Sequence, residues 1–258
     1  MSKVSVIIPL YNASLWLEQA VRSVQAQSYC DWEAVIVDDC STDGSYEIAK
    51  KLAHREPRIK LLRLEKNSGV AVARNLAIKE ASGRFIAFLD SDDIWLPLKL
   101  EKQIDFMLKN KVVFSYTAYR KINMQGRPFQ VVDIPGRVNY SQILKTCVIG
   151  CLTAIYDAER LGKIYMPLGT AREDFATWLS ILRTVEFAYG VPEVLASYRV
   201  YPGQGSHKKL KMAAETWGVY RKVERLSYLR SVYYFINYAF RGVMRAKLPY
   251  VAKVFRAL

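Results

Sequence analysis

Three carboxylates follow directly on an apolar segment of the chain. Residues 85–89 are apolar, and Asp90, Asp92 and Asp93 come within the next four positions. Such a run is typical of a buried strand in a parallel sheet, and open α/β sheets bind ligands at the carboxyl ends of their strands. Like charges this close repel one another unless a cation compensates. Asp90 and Asp92 therefore predict a divalent metal site, the alternative being a solvated Asp-rich turn.

The first two apolar segments also end in residues that suit a nucleotide. One leads into Tyr11, and the other ends at Asp38 and Asp39. A strand-end carboxylate can accept a hydrogen bond from the ring N–H of uracil, and a tyrosine ring offers a flat face to a base. Residues 67–75 then open a helix whose free N–H groups, together with Arg74, favour an anion or a base edge.

The first hundred residues alternate strand and helix patterns, as a series of βαβ units requires. Right-handed crossovers would place the loops after these strands on one edge of the sheet, which is the predicted site. The predicted strands are 4–10, 32–37, 59–64 and 84–89, and the predicted helices are 15–27, capped by Asn12 or Ser14, 45–53 and 69–81.

Beyond residue 93 the pattern is less regular. The sequence predicts a hairpin turn at Gly126 and Pro128 and a loop over 201–205. The predicted helices are 98–109, 140–144 and 172–182, and the predicted strands are 112–121, 151–157, 185–189 and 196–200.

Length and composition are those of a globular protein rather than a disordered one. With 258 residues, 51% hydrophobic and 24% charged, the chain can fold as one α/β domain with an appendage or as two small domains. Its 4 cysteines include one CxxxC pair and have no histidine at zinc-finger spacing, which argues against a zinc module. The strand pattern begins too early for a signal peptide, so we expect a cytoplasmic protein.

Positive charge is concentrated at the C-terminus. The net charge is +14, and residues 207–258 hold twelve Lys or Arg against two Glu, interleaved with aromatic residues. No apolar run approaches the roughly 20 residues that cross a bilayer. This pattern predicts a basic amphipathic helical region on the anionic inner face of the membrane. Two alternatives are a nucleic-acid surface, which we do not expect, and a hairpin that packs its aromatic residues on the main domain.

Five motifs in this order resemble those of the inverting family 2 glycosyltransferases of the GT-A fold, which build bacterial capsule, O-antigen and teichuronic-acid-type polymers. They are VSVIIPLYNA, VIVDDCSTDGS, NSGVAVARN, FLDSDD and Arg172-Glu173-Asp174, and the resemblance covers roughly residues 3–200. Cys40 stands where the family usually has glycine.

The resemblance implies an α/β, GT-A fold: a Rossmann-like, mostly parallel central sheet with helices on both faces. The catalytic domain would span 1–206, with a nucleotide-binding half at 1–95 and an acceptor-side half at 96–206. The basic helical extension would follow at 207–258.

The resemblance also implies roles for individual residues. The expected nucleotide-binding residues are Pro9, Tyr11, Asp38, Asp39, Arg74, Asp90 and Ser91. Asp90 and Asp92 would hold Mn²⁺ or Mg²⁺ as a DXD pair, with His207 as a candidate third ligand. Asp174 would be the catalytic base. A structural alternative for Glu173 and Asp174 is helix-start electrostatics, since acids favour the first turn.

The function implied is a metal-dependent inverting transfer of a sugar, expected from a UDP-sugar, to a growing glycan. The favoured acceptor is a polyprenyl-diphosphate-linked sugar at the inner membrane face. The alternatives are a non-catalytic sugar-nucleotide-binding or membrane-docking protein and a nucleotidyltransferase. A nucleotidyltransferase would normally carry a Gly-rich, basic N-terminal loop, whereas residues 9–14 contain neither Gly nor Lys or Arg.

Overall fold

The computed structural model describes residues 2–202 and 209–247, and it contains one central sheet with helices around it. The strands are β1 Val4–Leu10, β2 Trp32–Asp38, β3 Ile59–Arg63, β4 Phe85–Phe88, β5 Ile94–Trp95, β6 Phe114–Ile122, β7 Pro128–Val132, β8 Arg137–Val138, β9 Ile155–Asp157 and β10 Ala188–Arg199. The helices are α1 Leu17–Gln25, α2 Ser45–Arg55, α3 Val70–Glu80, α4 Lys99–Lys109, α5 Tyr140–Lys145, α6 Ala158–Leu161, α7 Glu173–Ile181, α8 Lys209–Gly218 and α9 Tyr228–Lys247.

The sheet runs in the order β3-β2-β1-β4-β9-β6-β10-β5. Neighbours are parallel from β3 to β4 and again between β6 and β10, whereas β9 is antiparallel to both β4 and β6. The predicted mixed α/β architecture is therefore confirmed. The βαβ series of the first half forms the parallel part of the sheet that carries the predicted site.

Helices cover both faces of the sheet, as expected. Along β1, Val6 and Ile8 join one buried cluster and Ile7 joins the other, because successive strand residues point to opposite faces. Helices α1, α2 and α4 bury their apolar residues in the first cluster, and α3, α5 and α7 in the second. The helix patterns in the sequence therefore correspond to two separate core layers.

The predicted cap of the first helix is wrong. Helix α1 begins at Leu17, later than predicted, and no side chain caps it. Asn12 has a left-handed backbone with φ 48°, and its Oδ1 accepts a hydrogen bond from the Thr42 N–H at 2.8 Å. The N–H of Ser14 donates to Oδ2 of Asp43 at 3.0 Å. These residues join the loop after β1 to the loop after β2.

Two strand predictions in the second half also need correction. Within the predicted strand 151–157, Cys151–Thr153 form a 3₁₀ turn and only Ile155–Asp157 form a strand. The predicted strands 185–189 and 196–200 are one strand, β10, whose register shifts between Val191 and Val194. Pro192 lies in this bulge, where a residue without an N–H is tolerated in a strand.

The C-terminal helices pack on the main domain. Val219 and Tyr220, in a π-helical turn after α8, are fully buried in the same cluster as α3 and α7. The proposed domain boundary at 206 falls in the segment 203–208, outside the described residues. Across residues 2–202 and 209–247, no helix combines the length and apolar character needed to cross a membrane.

Glu33 links the amino-terminal ends of β1 and β2. Its carboxylate accepts hydrogen bonds from the Ser5 hydroxyl at 2.5 Å and the Ser82 N–H at 2.6 Å, and it pairs with Lys3 at 2.7 Å. Burial alone would raise the pKa of Glu33, but these partners outweigh it and lower the pKa to about 2. The ionised carboxylate therefore stabilises the fold at neutral pH, and this contribution is lost as the pH falls from about 4.5 towards 2.

We expect Glu33→Gln to lower the free energy of unfolding at pH 7 by about 1–3 kcal/mol, because the donors of Ser5, Ser82 and Lys3 lose a charged acceptor. Urea denaturation at pH 7 and near pH 2.5 measures this effect. The difference between wild type and variant should shrink at the lower pH. An equal difference at both values would show that the charge is not its source.

Candidate functional site

The carboxyl ends of β1, β2 and β4 lie side by side. Leu10, at the end of β1, pairs with Asp38 at the end of β2, and the Leu89 N–H after β4 donates to the Ile7 carbonyl at 3.0 Å. The loops that begin at Tyr11, Asp39 and Asp90 therefore start from one edge of the sheet. Pro9 is buried within β1, whereas Tyr11 is half exposed beyond its end.

Asp38 and Asp39 are both buried and both organise loops. Asp38 accepts from the Ser41 N–H at 3.2 Å and forms an ion pair with Arg63 at 3.2 Å. The two oxygens of Asp39 accept from the N–H groups of Ser68 and Gly69, at 2.6 and 2.8 Å. Asp39 thus holds the segment before α3 against the loop after β2.

Cys40 adopts the left-handed backbone conformation, with φ 62°. Glycine takes this conformation without a steric penalty, which gives a physical reason for the glycine usual at this position in the resembling family. Cysteine at position 40 leaves the turn intact, because Ser41, the next residue, donates its N–H to Asp38.

Arg74 joins three elements inside the site. The residue is 4% exposed, and its guanidinium contacts Oδ1 of Asp90 at 2.5 Å and Oε1 of Glu173 at 2.8 Å. Burial alone would lower the pKa of Arg74, but the charges of Asp90 and Glu173 hold it well above its usual value. For Glu173, burial outweighs the cation and raises the pKa. Helix α3, the acid loop after β4 and the start of α7 are therefore fixed relative to one another.

Burial and neighbouring carboxylates raise the pKa values of Asp92 and Asp93. Burial and the charge of Asp90 raise the pKa of Asp92 to about 6, and its Oδ2 accepts from the Tyr201 hydroxyl at 3.0 Å. Asp93 is fully buried, and burial raises its pKa well above the usual value. Oδ1 of Asp93 accepts from the Arg199 N–H at 2.8 Å, whereas its Oδ2 has no hydrogen-bond partner among the described residues.

This donor set fits a hard divalent cation. Asp90 and Asp92 supply carboxylate oxygens, and their mutual repulsion would be relieved by a positive ion. Mg²⁺ typically binds one or two carboxylates and completes its coordination with substrate phosphates and water. Within the described part of the chain, no group of three or more His, Cys, Asp or Glu side chains is arranged around an ion site. His207, the candidate third ligand, lies outside the described residues.

A cleft of about 800 Å³ is lined both by Asp90, a predicted metal ligand, and by Asp174, the predicted base. Asp90 and Arg74 line it from the sheet edge, and Asp174 lines it from the first turn of α7. Asp174 is half-buried, and its Oδ1 accepts from the Phe175 N–H at 2.6 Å. Ser91 is buried between Asp90 and Asp92 in the turn after β4.

Two site residues, Arg199 and Tyr201, were not singled out from the sequence, and a third, Arg172, entered only as part of the Arg172-Glu173-Asp174 motif. Arg199 donates its Nε to the carbonyl of Asp92 at 2.7 Å, and Tyr201 donates to the Asp92 carboxylate. Arg172 lines the cleft beside Asp174, and its Nη1 donates to the Thr216 hydroxyl at 3.0 Å. The sequence feature that could have identified Arg199 is the pair Tyr198-Arg199 near the end of a predicted strand.

The chain matches known proteins along nearly its whole length. The family profile described as Glycosyl transferase family 2 matches residues 5–158. A protein of Bacillus subtilis named as a teichuronic acid biosynthesis glycosyltransferase, TuaG, is 45% identical over 94% of this chain and 96% of its own. WfgD of Escherichia coli, named as a UDP-Glc:alpha-D-GlcNAc-diphosphoundecaprenol beta-1,3-glucosyltransferase, is 39% identical over 96% of each chain.

Solved structures share the fold. TarS of S. aureus in complex with UDP superimposes with a TM-score of 0.70 at 22% identity, over 95% of this chain and 73% of that one. The mannosyltransferase PcManGT of Pyrobaculum calidifontis, in complex with GDP-Man and Mn²⁺, gives 0.67 at 19% identity, over 99% and 79%. The expected GT-A fold is thereby confirmed. From the profile match and the two relatives above 30% identity, the chain belongs to glycosyl transferase family 2 and is a glycosyltransferase.

Proposed function

We propose that this glycosyltransferase uses a divalent metal to move a sugar, with inversion, from a UDP-sugar to a lipid-linked glycan of a bacterial surface polymer. The observation that carries the proposal is the shared cleft, which Asp90 lines from the end of β4 and Asp174 lines from the start of α7. A donor held at the first and an acceptor hydroxyl held at the second would meet between them.

The donor side is assigned to the loops at the sheet edge. Tyr11 offers an exposed ring beside β1, and the buried carboxylates of Asp38 and Asp39 lie at the end of β2. A ring and a hydrogen-bond acceptor are what a uracil base requires. The UDP bound to TarS and the UDP-Glc in the name of WfgD support the choice of uridine.

Asp90 and Asp92 are assigned to the metal, with His207 as a third candidate. When bound there, Mn²⁺ or Mg²⁺ would neutralise charge on the diphosphate of the leaving nucleotide. The Mn²⁺ in the PcManGT complex supports this assignment.

Asp92→Asn should weaken Mn²⁺ binding by roughly tenfold or more, because one of two carboxylate ligands is lost. The shift in melting temperature on titrating Mn²⁺ in the presence of UDP measures it. Asp105→Asn is the matched control, since Asp105 lies exposed on α4. An unchanged Mn²⁺ midpoint in the Asp92 variant would place the ion elsewhere.

Asp174 is assigned the role of general base. Its free carboxylate oxygen would accept the proton of the acceptor hydroxyl while that oxygen attacks the anomeric carbon. The bond from the anomeric carbon to the β-phosphate oxygen breaks in the same step, and UDP leaves from the opposite face. Because one displacement occurs, the configuration at the anomeric carbon is inverted.

Arg172 supports an acceptor that carries a diphosphate. Within the described part of the chain, its guanidinium contacts neutral groups: the hydroxyls of Thr216 at 3.0 Å and Tyr238 at 3.5 Å, and the ring of Phe175 at 5.4 Å. Burial alone would lower the pKa of Arg172, but the nearby charge of Asp174 raises it. A guanidinium held this way in the cleft is suited to bind phosphate oxygens. The diphosphoundecaprenol-linked substrate in the name of WfgD is of this class.

We expect Arg172→Gln to raise KM for a lipid-diphosphate acceptor by roughly tenfold, the effect of losing one charge-assisted contact to phosphate, with a smaller change in kcat. Steady-state kinetics against the diphosphate acceptor and against the same sugar as a neutral glycoside measure the effect. The increase in KM should appear with the diphosphate acceptor and not with the neutral glycoside. An equal loss with both acceptors would indicate a structural role.

Release of UDP from a panel of UDP-sugars, with and without Mn²⁺, tests the proposed function. Turnover that requires both the metal and a polyprenyl-diphosphate sugar supports it. A binding module would bind UDP without releasing it from any donor. A nucleotidyltransferase would likewise release no UDP, and it would form pyrophosphate only when given a nucleoside triphosphate and a sugar phosphate. We place the reaction at the cytoplasmic face of the membrane, where the proposed acceptor would be presented.

A further inference from the structure

Helix α9 exposes four large apolar side chains along one line. Leu229, Tyr233, Ile236 and Phe240 are 80%, 52%, 61% and 57% exposed. Their spacing of four, three and four residues places them on one face of the helix, and we call this set the apolar stripe. Contiguous exposed apolar surface of this kind marks a site of interaction, because it is costly to leave in water.

The opposite face of α9 is firmly packed on the domain. The ring of Phe235 lies 5.5 Å from that of Trp217, Tyr234 lies 6.4 Å from Tyr220, and Ser231 is fully buried. One face of the helix therefore packs on the protein, and the other is exposed and available to a partner. The packed hairpin and the membrane surface considered from the sequence thus concern different faces of one helix.

Charge identifies the partner. Residues 228–247 contain four Lys or Arg and neither Asp nor Glu, and the exposed cations Arg221, Lys222 and Arg225 precede them. A second copy of the chain would bring the same cations against these, and like charges would repel. An anionic lipid surface offers opposite charge and an apolar layer beneath it. We propose that α9 docks through the apolar stripe on an anionic lipid bilayer.

Docking would also orient the cleft. Tyr238, on the packed side of α9, contacts Arg172 at 3.5 Å, and Arg172 immediately precedes the first turn of α7. The face that meets lipid and the residue beside Asp174 are thus joined through one helix. This consequence rests on the proposed lipid-linked acceptor, whereas the docking itself does not.

Co-sedimentation of the full chain with vesicles tests the docking. We expect binding to phosphatidylcholine vesicles that contain phosphatidylglycerol, and its loss between about 0.1 and 1 M salt, where screening becomes strong. Leu229→Ser/Ile236→Ser should lower the partition coefficient by roughly tenfold or more, because two aliphatic side chains no longer enter the apolar layer. The matched control is Leu108→Ser/Val131→Ser, which changes exposed aliphatic residues on α4 and β7 and should bind as wild type does.

Three outcomes would overturn the inference: equal binding to vesicles of phosphatidylcholine alone, no effect of the stripe variant, or a concentration-dependent dimer in sedimentation velocity that the stripe variant abolishes. The melting temperatures of both variants verify that they are folded. Release of UDP with a water-soluble acceptor should be unchanged in the stripe variant. Vesicle binding is read without turnover, so a failure of the proposed function and a failure of the docking remain distinguishable.

Discussion

Asp174→Asn is expected to lower kcat by about 10²–10⁴-fold, the usual contribution of a general base. Asparagine keeps the carbonyl oxygen that accepts from the Phe175 N–H at 2.6 Å, so the start of α7 should be preserved. What is lost is the basic oxygen that faces the cleft. Initial rates of UDP release at saturating donor and acceptor measure the effect.

The affinity for UDP should remain within about twofold of wild type, because the proposal assigns Asp174 to the acceptor and not to the nucleotide. Asp105→Asn, on the exposed surface of α4, serves as the matched control and should retain full activity. Near-normal turnover of the Asp174 variant would remove it from the role of base. Weakened UDP binding with normal kcat would move it to the donor side.

Arg74→Met is expected to lower the free energy of unfolding by about 3–5 kcal/mol. The change removes the partner of two carboxylates, of which Glu173 is 7% exposed, and an uncompensated buried charge is strongly destabilising. Urea denaturation at neutral pH measures the loss. Turnover should fall as well, because Asp90 and the start of α7 would no longer be held together.

A second substitution distinguishes lost charge compensation from lost packing. Adding Glu173→Gln to Arg74→Met should recover part of the stability, because one of the unpaired charges is removed. Arg22→Met is the control for a surface ion pair: its contact with Glu18 on α1 is exposed, and the expected loss is about 0.5 kcal/mol or less. Similar losses for Arg74 and Arg22 would contradict the role given to the buried pair.

The first half of the fold follows from local sequence because each strand and helix there has its own pattern. The predicted strand 4–10 is observed as Val4–Leu10, and the predicted helix 69–81 as Val70–Glu80. In the second half the strand-like pattern is interrupted at Pro192, which led to two predicted strands. The bulge that accommodates Pro192 depends on pairing with β6, a partner some 75 residues away in the chain.

The candidate site likewise contains residues that the sequence predicted and residues whose contacts depend on the tertiary fold. The acids at 90 and 92 were predicted from their positions after a strand, whereas Asp174 was assigned only from the family resemblance, and the structure brings Asp90 and Asp174 to one cleft. Tyr201, which reaches Asp92 from 109 residues away, could not be found in this way. The pairing of Arg74 with Asp90 and Glu173 was also hidden, because it depends on how α3 and α7 pack.

The configuration of the new glycosidic bond tests the central claim most directly. The coupling between the H1 and H2 protons in the NMR spectrum of the product reports it for a gluco-configured sugar, with an α-linked UDP-hexose as donor. A single displacement assisted by Asp174 predicts a β-linked product. An α-linked product would contradict it, since retention requires either two successive displacements or attack from the face of the leaving group, and neither is a single displacement from the opposite face.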